Sequence, residues 1–146
     1  MIGLNTLESL YQQALTEGIA VENFPMPQVT SVAVMVDNRY FIGIDRSRME
    51  TSIEEAECLA HEMGHCETHS LYAMGEKERR KSEKRAEEWA ILRLVPQKRF
   101  LAACKNGCRE VWEFAEELNI TCPFAAKVMS YYLGQNKISP IYNTTL

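Results

Sequence analysis

Apolar residues recur at helical intervals in NTLESLYQQALTEGI, where Leu4, Leu7, Leu10, Tyr11 and Leu15 share one face, and Gly18 follows where such a helix would stop. The prolines of ENFPMP exclude regular structure there. TSVAVMV and RYFIGID are short runs rich in β-branched and aromatic residues, which predicts two strands joined as a hairpin at Asp37-Asn38. The period then changes. Ile53, Ala56, Leu59, Ala60 and Met63 give a helix an apolar face, with Ser52 and Glu55 as a capping box at its start. That helix is expected to run through the three histidines and end near Gly75. A second helix is expected over 83–95, stopped by Pro96, and three short ones over QKRFLAACK, REVWEFAEELN and PFAAKVMSYYL.

The pattern predicts an α+β protein: a mainly helical single domain over 1–146, with a small antiparallel sheet or hairpin packed beside the histidine-bearing helix. Within it, 1–24 would carry the N-terminal helix, 25–100 the hairpin and metal-binding helices, and 101–146 the C-terminal helices. Between the two central helices, Lys77 to Arg85 reads KERRKSEKR, six basic and two acidic residues, expected as a solvated connection.

Composition narrows the function. Apolar residues make up 46% and charged ones 25%, the balance of a globular protein, and a net charge of -4 argues against a general nucleic-acid binder. No secretory leader and no apolar run of bilayer length is visible, so a cytoplasmic protein away from membranes is expected. The five cysteines then read as reduced thiols, and the triplets at Asn119 and Asn143 as chance glycosylation matches. Cys104 and Cys108 lack a second Cys or His pair downstream and are expected to be free as well. The rhythm of residues 109–133 resembles a helix-turn-helix, but with Lys127 its one basic residue in the second helix, DNA recognition is not expected. Trp112, Phe114, Leu118, Phe124, Val128, Tyr131 and Leu133 are expected to form the C-terminal core.

The chemistry sits in LAHEMGHCETHS. His61 and His65, four apart, project from one face of a helix and can meet a single ion at about 2.0–2.1 Å each. Glu62, beside them, can take a proton from water on the open side of that ion, which is the H-E-x-x-H arrangement. His69 keeps the spacing but lies about 12 Å along the axis from His61, too far for three side chains to converge, and is expected to be a surface or supporting residue. Cys58 fails for the same reason and Cys66 points elsewhere. A third ligand must come from another segment. The second helix supplies Glu83, with Glu87 one turn later; Glu83 is assigned to the metal and Glu87 to the far nitrogen of His61 or His65. Ala86 and Ala90 are small enough to let the helices approach. Two imidazoles and a carboxylate suit Zn2+.

AHEMGHCETH, together with EKRAEEWAILRLVP and the upstream VAVMVDNRYFIGIDRS, resembles the ImmA/IrrE family of zinc-dependent metallopeptidases over about residues 25 to 100. The second segment is similar to that family's E-x-x-A-x-x-F-A-x-x-L-L-x-P, whose first Glu is the third ligand, Glu83 here. Glu87 departs from the family's usual Asn or Asp, and Trp89 from its Phe. The resemblance implies an endopeptidase acting on a helix-turn-helix transcriptional repressor of a phage, mobile element or stress regulon. The alternative expectation is a non-catalytic module that binds a regulator, with a structural or vestigial metal; Glu62 favours the enzyme, since a structural site needs no base. RYFIGID, as a sheet edge, could pair with substrate, and Tyr72, Tyr131 and Tyr132 are candidate oxyanion donors.

Overall fold

The computed structural model describes residues 5–71 and 75–134. The chain divides into two compact units, Met1–Ala90 and Ile91–Leu146. Its α+β class is as the periodicity predicts, with six helices and a three-stranded sheet among the described residues.

In the first unit, α1 spans Thr6–Thr16. Asn5 and Glu8 satisfy each other's backbone N–H groups in a capping box, and Gly18, at φ +74°, turns the chain away after its end. Strand β1, Ala20–Asn23, runs into the segment whose prolines were expected to exclude regular structure. It carries little strand signal of its own because its partner is distant: it pairs in parallel with β3, Ala20 against Phe41. Strands β2, Ser31–Val36, and β3, Arg39–Ile44, form the predicted hairpin, and Asp37 and Asn38 both adopt positive φ, as a tight two-residue turn requires. The sheet order is β1-β3-β2, so the sheet is mixed rather than antiparallel. RYFIGID, expected at an edge, is the central strand, and β2 is at the edge.

Helix α2 spans Ser52–Glu67. Its cap is Thr51, whose hydroxyl accepts the Glu54 N–H, one residue before the expected Ser52. Leu59, Ala60 and Met63 are fully buried, and the helix packs on α1 and on β2 and β3. Each of its large apolar side chains contributes about 1.5–3 kcal/mol by leaving water. Glu55 clamps the helix start, accepting from the hydroxyl of Tyr11 and, at 3.0 Å, from Arg46. The helix stops at Glu67, well before Gly75: His69 is left-handed at φ +53°, and the N–H groups of His69 and Ser70 bond back to the carbonyls of Cys66 and His65.

Helix α3 spans Glu76–Leu94 and so begins earlier than expected. KERRKSEKR is its first half rather than a connection. Lysine and arginine are good helix formers, and most of these residues are exposed, which is why charge alone gave no amphipathic signal.

The second unit contains α4 (Gln97–Lys105), α5 (Val111–Leu118) and α6 (Cys122–Gly134). Phe100 stacks between Phe114 and Tyr132, with ring centroids 4.8 Å and 4.9 Å away, in a core shared with Val95 and Val128. Trp112, expected in that core, is 60% exposed: two positions before Phe114 on α5, it falls on the opposite face of the helix. No described helix is long and apolar enough to cross a membrane.

Candidate metal centre

The centre lies within the first unit and is assembled from the C-terminal half of α2, the first half of α3 and the start of β2. His61 and His65 stand one turn apart on α2, their ring centroids 5.0 Å from each other. The Glu83 carboxylate on α3 reaches both: Oε2 lies 2.7 Å from His61 Nε2 and Oε1 3.1 Å from His65 Nε2. One ligand atom from each of the three residues falls within 4.8 Å of the others, which makes them the one such group among the described residues. Three atoms each about 2.0–2.1 Å from a tetrahedral ion lie about 3.3 Å apart. The donor set suits a zinc ion by its chemistry, and the Glu83 oxygens, 2.7 Å and 3.1 Å from the two histidine nitrogens, lie somewhat inside that spacing.

The end of α2 prepares one of these donors. The turn through His69 brings the Ser70 carbonyl back to His65 Nδ1, 3.1 Å away, and the Ser82 hydroxyl donates to the same carbonyl. With its proton held at Nδ1, the imidazole keeps the Nε2 lone pair for a cation. Glu87 was expected to engage the far nitrogen of His61 or His65. For His65 that position belongs to Ser70, because the helix ends early enough to place a backbone carbonyl there. Glu87 is half-buried on α3, one turn after Glu83, which leaves His61 as the histidine its expected role could concern.

His69 stays outside the group, as expected. It is exposed beyond the helix end, its Nδ1 against the hydroxyl of Tyr40 on β3. Cys58 and Cys66 are likewise outside; all five cysteines are free, and burial pushes the Cys66 thiol up to about 12. Burial also raises Cys104 and Cys108. Of the tyrosines proposed as oxyanion donors, Tyr72 lies outside the described residues. Tyr132 is buried in the second unit, its hydroxyl donating to the Val95 carbonyl. Tyr131 packs edge-on against Tyr132 in that unit.

Glu62 is 7% exposed, and the Ser31 hydroxyl donates to its Oε2 at 2.7 Å. Ser31 is the first residue of β2, and the chain entering it is fixed by Asp45. That carboxylate accepts the Met26 N–H at 2.9 Å and the Ser47 hydroxyl, contacts that hold its pKa below the usual range. Asp45 N–H bonds in turn to the Thr30 carbonyl. A cleft of about 400 Å³ opens over these groups, walled by Ser31, Val32 and Ala33 of the edge strand on one side and by Arg79 and Glu83 of α3 on another.

Sequence reasoning missed Ser31, Ser70 and Ser82, whose roles depend on contacts between distant segments. It also missed Gly64, for which a signal existed: a glycine inside a helix costs about 1 kcal/mol against alanine and asks for a packing reason. A Cβ there would lie 2.5 Å from the Ala86 carbonyl oxygen and 2.9 Å from its Cα, both backbone atoms. Gly64 thus sets how closely α2 and α3 meet, one turn from both His61 and Glu83. Gly64→Ala is expected to cost about 1–3 kcal/mol and to weaken zinc binding. Gly18→Ala, strained at φ +74° but clear of neighbours, should lower the melting temperature without touching zinc affinity. Thermal melts and zinc titrations of the two variants check this.

A family model described as the IrrE N-terminal-like domain, a peptidase family, matches residues 2–130. No curated protein and no solved structure matches the chain.

Proposed function

The chain belongs to the IrrE N-terminal-like peptidase family, and from that footing we propose that it is a zinc-dependent endopeptidase of the cytoplasm that cuts a specific intracellular protein. The observation that carries this reading is the convergence of His61, His65 and Glu83 in a cleft that also holds the buried carboxylate of Glu62.

Zinc held by the three residues supplies a Lewis acid for the scissile carbonyl and for water. Glu62 takes the proton from the attacking water and delivers it to the leaving amine. Ser31 engages one oxygen of that carboxylate and fixes its direction, so proton transfer falls to the other. Strand β2 pairs with β3 alone among the described residues, and its outer edge runs along the cleft. An extended substrate can add there as a further strand, its backbone groups meeting those of β2 while Val32 and Ala33 present a small apolar wall.

The proposed substrate is a helix-turn-helix repressor of a phage, mobile element or stress regulon; the family resemblance supports it. Incubating the zinc-loaded protein with repressors encoded beside it, and reading products by mass spectrometry, tests this reading. Cleavage at one discrete bond is expected. A stable complex without fragments would instead favour a module that binds a regulator.

A further inference from the structure

Among the described residues, Arg79 is the one Lys or Arg whose side chain lines the cleft, and the reading above gives it no task. It stands one turn before Glu83 on α3, exposed; its backbone N–H bonds to the Gly75 carbonyl, and its side chain has no hydrogen-bond or ion-pair partner among the described residues. Arginine suits an exposed helix position, but helix electrostatics gives no reason for a cation at this one. The first turns of a helix favour negative charge, and an arginine N-terminal to a glutamate at i, i+4 is the weaker orientation of that pair. Glu83 in any case gives both of its oxygens to His61 and His65. The other carboxylate in the cleft, Glu62, is engaged by Ser31.

Charge balance gives this arginine a direction. With a doubly charged cation on the histidines, Glu62 and Glu83 together neutralise it, and Arg79 leaves the cleft with one positive charge in excess. Among the described residues the walls otherwise consist of small hydroxyls and apolar groups, with no further acidic side chain to offset it. A substrate laid along β2 would lie in the cleft that Arg79 borders from α3.

We propose that Arg79 selects an acidic substrate side chain, so that the site prefers Asp or Glu over Lys within a residue or two of the bond that is cut. This inference rests on the metallopeptidase reading. A partly desolvated guanidinium–carboxylate pair adds affinity through two parallel hydrogen bonds, and a lysine at the same place meets like charge.

The test uses paired peptide hydroxamates, extended on either side of the chelating group and carrying Asp or Lys beside it. Their affinity for the zinc-loaded full chain is measured by calorimetry, without turnover. On one side the Asp compound is expected to bind about tenfold more tightly; Arg79→Lys keeps that order and Arg79→Glu reverses it. Equal binding of the pair on both sides, or an order unchanged in Arg79→Glu, overturns the inference and leaves the metal site standing. Loss of zinc from Arg79→Glu, measured by elemental analysis, would also overturn it, because Arg79 would then serve Glu83 rather than substrate. If no hydroxamate binds at all, the metallopeptidase reading fails, and the inference with it.

Discussion

Replacing Glu62 with glutamine is expected to leave zinc content unchanged and to lower cleavage of the native partner by about 10²- to 10⁴-fold, the range a general base supplies. The two side chains have nearly the same shape, and glutamine retains an oxygen to accept from Ser31, so the 2.7 Å contact and the packing around a residue only 7% exposed should survive. What is lost is the capacity to take a proton. Glu62 is not in the group of convergent ligand atoms, which is formed by His61, His65 and Glu83. Elemental analysis beside a cleavage assay therefore separates the two roles. A Glu62→Gln protein that cleaves at the wild-type rate would remove the proposed base, and one that loses its zinc would make Glu62 part of the metal's support.

Zinc affinity should fall by more than about 100-fold in Glu83→Ala, exceeding the roughly 10- to 100-fold typical of losing a partner that only orients a ligand. His69→Ala should bind zinc about as well as the wild type. The contrast is informative because His69 has the more suggestive place in the sequence, continuing the four-residue spacing of His61 and His65. In the fold it lies beyond the end of α2, turned to Tyr40, while Glu83 arrives from a separate helix onto both imidazoles. The Glu83 side chain is 54% exposed, so its truncation should barely affect folding, and a fall in affinity can be assigned to the missing ligand. Competition titrations against a chelator of known affinity measure both variants. The reverse order of losses would exchange the roles of His69 and Glu83.

The legible parts of the sequence were those fixed by local chemistry. The hairpin at Asp37-Asn38 followed from two strand-forming runs around residues that tolerate positive φ, and the apolar face of α2 followed from its spacing. Glu83 was reachable because coordination geometry excludes a third ligand from the same helix, so a second segment had to supply one. Other features made by distant segments were not legible. Strand β1 exists through its parallel pairing with β3, and β2 rather than β3 forms the edge because β1 occupies the other side. The end of α2 was misjudged because a histidine, and not a glycine, takes the left-handed position there. That early stop has a consequence for the site, since it delivers the Ser70 carbonyl to His65 Nδ1, one of the two positions at which the Glu87 carboxylate was expected. The polar first half of α3 was misread for a simpler reason: an exposed helix needs no apolar stripe, and most of KERRKSEKR faces water.

The claim beneath all of this is that α2 and α3 share one cation through two imidazole nitrogens and one carboxylate. X-ray absorption at the zinc edge of the loaded protein tests it most directly. The expected spectrum has nitrogen and oxygen neighbours at about 2.0–2.1 Å, the outer-shell signature of two imidazoles, and one fewer oxygen neighbour from protein in Glu83→Ala. Sulfur neighbours at about 2.3 Å, placing any of the five free cysteines on the ion, would contradict it.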